Sequence, residues 1–304
     1  MKISGFTFIR DGLRLGYPFE ESIRSVLPLC DEFIVAVGES DDGTLERLQS
    51  MNEPKLRILE TTWNEKNRSF GHVYAQQKMI AQFNCTGDWA FYLEGDEIIH
   101  DQDIERIRNA LLYYLDKPEI EALAFDYYHF HGDAQHLRVS SRVYRKAVRI
   151  IRNDIRSVAP DGLYWAVIKR KTIIGKRNKR RTRYPHAAAL NIPIYHYGNA
   201  RHERYLKKKA ETVNQYWDDN PFFSVYGQID PQAIGEFKGE HPEIIHEWLK
   251  NHANPALQLD PDYEITGNDK KHRLMRKLEN VFGWDLSKRH FKIIDSYNEK
   301  NTQD

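Results

Sequence analysis

The chain has only two cysteines, Cys30 and Cys85, in 304 residues. That excludes a disulfide scaffold and a cysteine-rich metal centre, and both read as small core residues in a reducing compartment. Long apolar runs are missing as well. None approaches the roughly 18 residues that a membrane span requires. Met1-Lys2-Ile3-Ser4-Gly5-Phe6 lacks the apolar region of a signal peptide and reads as a strand, so the expected location is cytoplasmic. No charge of one sign dominates. Lys plus Arg number 45 against 44 Asp plus Glu, so no global field points to nucleic acid. There is no internal repeat and no low-complexity linker. A mean hydropathy of −0.70 marks a polar surface, while aromatics at 12% still supply a large core.

What is there is organised around Trp89-Ala90-Phe91-Tyr92-Leu93-Glu94-Gly95-Asp96-Glu97. Five apolar residues suit a strand buried on both faces, as in a parallel sheet. Such sheets bind ligands beyond the carboxyl ends of their strands. In extended chain Glu94 and Asp96 point to the same side, and Gly95 lets a ligand or backbone approach. Two hard oxygen donors there suit Mg²⁺ or Mn²⁺. An acidic turn after a core strand is the plainer alternative. Glu97 is expected to lie past the site and cap the following segment.

Strands are predicted at Ile3–Ile9, Phe33–Val37 and Leu56–Leu59, with helices after Pro18, after Thr44 and over Ser69–Phe83. Asp101 or Asp103 is expected to cap the helix bearing Ile104, Ile107, Leu111 and Leu115. This alternation predicts an α/β sheet with parallel strands. Ala122–Phe130, Ala147–Ile151 and Tyr164–Ile168 do not alternate with helices, so the later part of the sheet is expected to be mixed. Ile192–Gly198 is predicted as a short edge strand because of Pro193. Helices follow at Arg201–Trp217, Pro242–Asn251 and Lys270–Val281. The expected organisation is one domain over residues 1–198 with a helical extension, 199–304, packed on it.

The order of these pieces resembles the GT-A nucleotide-sugar glycosyltransferases of the family 2 type. Glu21-Ser22-Ile23-Arg24-Ser25-Val26-Leu27 matches their first helix. Gly38-Glu39-Ser40-Asp41-Asp42-Gly43-Thr44 resembles their Asp-x-Gly-Ser-x-Asp-Gly-Thr loop, with one extra residue and no acid before the glycine. Gly71, Gly87-Asp88-Trp89 and Glu94-Gly95-Asp96 take the places of the helix glycine, the Gly-Asp-Trp strand and Asp-x-Asp, with Glu94 replacing the first acid. The resemblance covers roughly residues 1–200. It implies a mixed α/β GT-A (Rossmann-like) sheet with flanking helices and a C-terminal helical and loop appendage. It also implies a nucleotide-sugar donor and a glycan or lipid-linked acceptor, in bacterial surface polysaccharide or lipopolysaccharide synthesis.

Residue roles follow from the same resemblance. Asp96 and His196 would ligate Mn²⁺ or Mg²⁺, with Glu94 toward the ribose or a bound water. His196 as a core histidine between two tyrosines is the alternative. Glu39 and Asp41 would hold the base and ribose beside Arg10, although the same loop reads equally as a solvated turn. Arg68, Gln77 and Lys78 are candidates to neutralise a diphosphate, or else a solvated helix face. Asp161 is the candidate general base, with Asp154 next, and Pro160-Asp161-Gly162 also fits an ordinary turn. Nine basic residues between Lys169 and Arg183 read as an attraction to an anionic acceptor or a peripheral membrane surface, or as a solvated loop. A sugar nucleotidylyltransferase and a non-catalytic glycan- or nucleic-acid-binding module stay open as alternatives, and no nucleic-acid partner is expected.

Overall fold

The computed structural model describes residues 1–67, 69–169, 182–213 and 225–299. In chain order the elements are β1 (Ile3–Ile9), α1 (Phe19–Val26), β2 (Glu32–Gly38), α2 (Thr44–Ser50), β3 (Leu56–Thr61), α3 (His72–Phe83), β4 (Trp89–Tyr92), β5 (Glu97–Ile99), α4 (Ile104–Leu115) and β6 (Ala122–His131). There follow β7 (His136–Arg138), β8 (Lys146–Arg152), β9 (Ser157–Val158), β10 (Ala166–Ile168), β11 (Thr182–Arg183), β12 (His186–Asn199), α5 (Glu203–Val213), β13 (Ile234–Glu236), α6 (His246–His252), α7 (Gly267–Phe282) and β14 (Lys292–Ser296).

The main sheet runs β13-β7-β6-β8-β4-β1-β2-β3. β4, β1, β2 and β3 are parallel, and β8 lies antiparallel between β4 and β6. It is thus a mixed sheet flanked by helices, the mixed α/β architecture expected from the sequence. The unbroken apolar runs have a simple cause. In β2, Phe33, Val35 and Val37 enter one core cluster while Ile34 and Ala36 enter another. In β4, Trp89 and Phe91 face the first, Ala90 and Tyr92 the second. A strand covered on both faces has no polar side to show. Phe91 stacks on Phe125 at 5.5 Å between ring centres. Truncating such a buried ring to alanine costs about 3–5 kcal/mol.

The strand predicted as a short edge at Ile192–Gly198 is a correction. β12 has 14 residues and is flanked by β6 on one side and by β14 and then β5 on the other. Pro193 is tolerated because the ladder with β6 shifts register between Ala189 and Pro193, where a missing N–H removes no regular bond. The cap of the following helix also differs. The His100 side chain accepts from the Gln102 amide, while Asp103 pairs with Arg106 at 2.7 Å. Residues beyond 198 are not only helical. β13 pairs with β7 and β14 with β12, so this part adds strands to the sheet.

Candidate active site

The carboxyl ends of β1 and β4 open on a cavity of about 280 Å³. One wall is aromatic, from Phe8, Trp63, Tyr74 and Tyr92. Trp63 meets Tyr74 edge to face at 5.4 Å, and Arg10 lies over the Trp63 ring at 5.1 Å. Trp63 can lie there because residue 38 is glycine, where a Cβ would stand 2.3 Å from the indole nitrogen. Flat apolar faces with one cation suit a planar heterocycle.

Polar groups gather at the other end. Glu94, Asp96 and His196 each offer one donor atom, all within 4.8 Å of one another. The Glu94 carbonyl accepts from the Glu97 amide at 3.0 Å. The two acids therefore converge through a turn rather than through extended alternation. β5 pairs antiparallel with β12, placing Glu97 opposite His196, and the Tyr197 amide donates to the Asp96 carbonyl at 2.8 Å. Asp96 Oδ1 lies 3.6 Å from His196 Nε2, and its Oδ2 4.0 Å from Lys209 Nζ. Burial works to raise the Asp96 carboxyl, but His196 foremost, then Lys209 and Arg201, outweigh it and hold it below its ordinary range. Burial, with Glu97 next to it, pushes Glu94 up to about 8. Burial lowers His196 against the pull of Asp96, and lowers the neighbouring His129 further.

This donor set fits a divalent cation. Two carboxylates and one imidazole converge, a mixture that suits Mn²⁺ better than an all-oxygen Mg²⁺ site. Gly198 keeps the space beside them open. A Cβ there would stand 2.5 Å from Asp96 Oδ2 and 2.7 Å from His196 Nε2.

No family model matches the sequence, and no curated protein matches it. Several solved structures are similar to part of the chain. One is the 1–349 fragment of S. aureus TarS, at 13% identity and a TM-score of 0.34 over 50% of this chain and 47% of that one. A second is the mannosyltransferase PcManGT from Pyrobaculum calidifontis, in complex with GDP-Man and Mn²⁺, at 20% and 0.31 over 41% and 34%. A third is glucosyl-3-phosphoglycerate synthase from Mycobacterium tuberculosis, with Mn²⁺, UDP and phosphoglyceric acid, at 16% and 0.28 over 42% and 43%. The chain thus spans less than half the length of each.

Beneath the acids lies Arg149 on β8, fully buried. It donates to Glu97 through Nε at 2.8 Å and Nη2 at 2.6 Å, and to Glu94 through Nη2 at 2.8 Å. Glu97 also accepts from the Tyr127 hydroxyl at 2.7 Å and the Glu94 amide at 3.1 Å. Glu97 does not cap the next segment. It is the buried counter-charge that aligns Glu94 through Arg149. Lys209 comes from α5, which Arg201 docks onto the loop after β1. Arg201 is fully buried, donates to the Gly198 carbonyl at 2.9 Å and to the Leu15 carbonyl, and lies 4.3 Å over Tyr17.

Several expected residues stand elsewhere. Arg10 lines the cavity, pairing with Glu65 and donating to the Glu39 carbonyl at 3.2 Å. Glu39 does not line it, and accepts from Thr62 at 3.0 Å. Asp41 is exposed and pairs with Arg14. A further acid lining the cavity is Asp11, from the loop after β1, at φ 53°. Lys78 is not a cation at the cavity surface. It is fully buried against Tyr92 and Trp165, at 4.1 and 3.5 Å from their ring centres, and donates to the Gly162 carbonyl at 3.2 Å. Burial, then Arg149, lowers it well below an ordinary lysine. Gln77 accepts from Thr61 at 2.6 Å.

Asp161 accepts from the Leu163 and Tyr164 amides at 2.7 and 3.2 Å and lines a second cavity of about 230 Å³. Gly162 and Leu163, beside it, line the first. Asp154 is exposed beyond β8, whose Arg152 pairs with Trp89 at the start of β4. It therefore sits at the opposite end of the strand from Asp96, outside the candidate site. Arg68 lies outside the described residues, as does the basic run at 170–181. At its edge Arg183 forms a pair of 2.6 Å bonds with Glu121. The sequence reading missed Arg149, His129, Lys209, Trp63 and Asp11. One of them had a visible signal, since Arg149 interrupts the apolar run Ala147-Val148-Arg149-Ile150-Ile151.

Proposed function

We propose that this chain is a metal-dependent, inverting glycosyltransferase that takes a sugar from a nucleoside diphosphate. The observation that carries this is the convergence of Glu94, Asp96 and His196, with the two acids lining the polar end of a cavity whose other wall is aromatic. The aromatic wall would take the base, with Arg10 over Trp63 closing it. Asp96 and His196 would hold a divalent cation, with Glu94 toward the ribose or a metal-bound water. That ion would supply Lewis-acid stabilisation of the leaving diphosphate. Lys209, beside Asp96 in the cavity lining, would add a second positive charge at the same oxygens. The structural neighbours PcManGT and the glucosyl-3-phosphoglycerate synthase, each in complex with Mn²⁺, are consistent with this.

Asp161 remains the proposed base for the acceptor hydroxyl, reaching it across the Gly162–Leu163 wall. Residues 1–198 would form the donor-binding unit, to which the extension 199–304 adds Lys209. The acceptor is proposed to be a glycan or lipid-linked sugar in surface polysaccharide assembly. A cytoplasmic location, with the basic run at 169–183 against the anionic membrane surface, goes with it. Among the described residues no helix is long and apolar enough to cross a membrane.

A nucleotidylyltransferase fits less well. The loop from Arg10 to Gly16 closes on itself, with the Leu15, Gly16 and Tyr17 amides donating to the Asp11, Leu13 and Gly12 carbonyls. Those amides are not open to cradle a phosphate. A non-catalytic glycan- or nucleic-acid-binding module that keeps the fold is favoured by one observation, the two loop amides that already bind Oδ1 of Asp161. Calorimetric titration of UDP and GDP with and without Mn²⁺, on wild type and Asp96→Ala, tests the proposal. Metal-dependent binding lost in a folded Asp96→Ala is the expected result. Binding that is indifferent to both metal and Asp96 would overturn it. Donor hydrolysis or transfer by the wild type would separate enzyme from binding module.

A further inference from the structure

β6 and β12 run parallel with His129 and His196 in register. The two imidazoles meet edge to face, 5.2 Å between centres and at 81°. Nδ1 of His129 lies 3.2 Å from Nδ1 of His196. Nε2 of His129 lies 2.8 Å from the Tyr144 carbonyl. A carbonyl only accepts, so this nitrogen carries a hydrogen. The ring is 7% exposed, stacked on Tyr127 at 5.1 Å and edge-on to Tyr144 at 4.6 Å. A second proton there would place a charge among aromatic rings. Neutral His129 thus presents a lone pair at Nδ1, and the hydrogen between the rings belongs to His196. Nε2 of His196 is then the nitrogen left to face Asp96, 3.6 Å from its Oδ1. That separation is too long for a direct hydrogen bond, and a cation held between the two atoms would be bound by both.

We propose that His129 is a positioning residue that fixes His196 in its Nδ1–H tautomer and so presents Nε2 to a divalent cation shared with Asp96. This deepens the metal site proposed above and rests on it. Metal-ligating histidines are commonly oriented by an acceptor on their other nitrogen. Here that acceptor is a second imidazole, itself held by a main-chain carbonyl. The chain from Tyr144 O to His129 to His196 fixes the orientation of both rings.

Two measurements test it. Long-range ¹H–¹⁵N NMR of histidine-labelled, metal-free wild type at pH 8 reads the tautomers directly. The expected result is Nδ1–H on His196 and Nε2–H on His129, and Nε2–H on His196 would overturn the proposal. Electron paramagnetic resonance titration of free Mn²⁺ gives the affinity. His129→Phe is expected to weaken it by about 10- to 100-fold. His129→Asn, whose amide oxygen can stand where Nδ1 stood, is expected to recover most of the loss. Wild-type affinity in a folded His129→Phe would also overturn it. If His129→Phe does not fold, the wild-type spectrum and the asparagine variant decide. A wild type that shows the Nδ1–H tautomer but binds no Mn²⁺ would sink the metal site and leave the tautomer relay standing.

Discussion

Gly198→Ala adds one methyl group at the point where a cation would be held. The new Cβ would stand 2.5 Å from Asp96 Oδ2 and 2.7 Å from His196 Nε2, and ordinary contact begins near 3.4 Å. Both donors must therefore retreat, by about 0.9 Å and about 0.7 Å if each moves straight back. Metal sites tolerate departures of about 0.2 Å from their preferred distances. The backbone is not an obstacle, since Gly198 is outside the left-handed region. Overpacking typically costs about 1–3 kcal/mol, and replacing glycine by alanine returns about 0.4–1 kcal/mol through the unfolded state. The two displaced atoms are side-chain ends, so the low end of the cost applies and the melting temperature should change little. Mn²⁺ affinity should fall more than about 10-fold, a loss above about 1.4 kcal/mol. Calorimetric Mn²⁺ titration in the presence of UDP or GDP, beside a thermal melt, makes the comparison. Wild-type Mn²⁺ affinity in a folded Gly198→Ala would refute the reasoning, because the ion could not then lie between those two atoms.

Three further outcomes are expected. Glu94 titrates near 8 in the folded chain, above its ordinary 4.5, so the folded state keeps a proton the unfolded state has lost between those values. Metal-free stability should therefore be full below about pH 4.5 and decline as pH rises through about 8, while Mn²⁺ affinity climbs over the same window because ionised Glu94 adds a negative charge beside the cation. Thermal melts from pH 5 to 8 check this, and Glu94→Gln should flatten the slope. Arg149→Met leaves Glu97 buried without its bidentate partner and should cost about 3–5 kcal/mol in denaturant unfolding, with Glu97→Gln in the same chain recovering part of it. Asp161→Asn should keep donor and Mn²⁺ affinity while turnover falls by roughly 10² or more, and near-normal turnover would remove Asp161 as the base.

The order of strands and helices was legible because buried strands and amphipathic helices carry local signatures. β2 and β4 are apolar at every position since each face meets its own core cluster. Glu94 and Asp96 were legible for the same local reason, as acids that end such a run. Pro193 misled because its compatibility with an interior strand depends on a register shift against β6, which no local pattern shows. The fate of the charged residues was decided in three dimensions. Lys78 resembles any solvated helix lysine in sequence, yet α3 turns it inward onto Tyr92 and Trp165. His129 and His196 are 67 residues apart, and Arg149 lies 52 residues from Glu97. Local pattern determined which segments would be strands and where acids would leave them. Strand register and the docking of α5, set by the packing of residues far apart in the chain, decided which side chains those acids would meet.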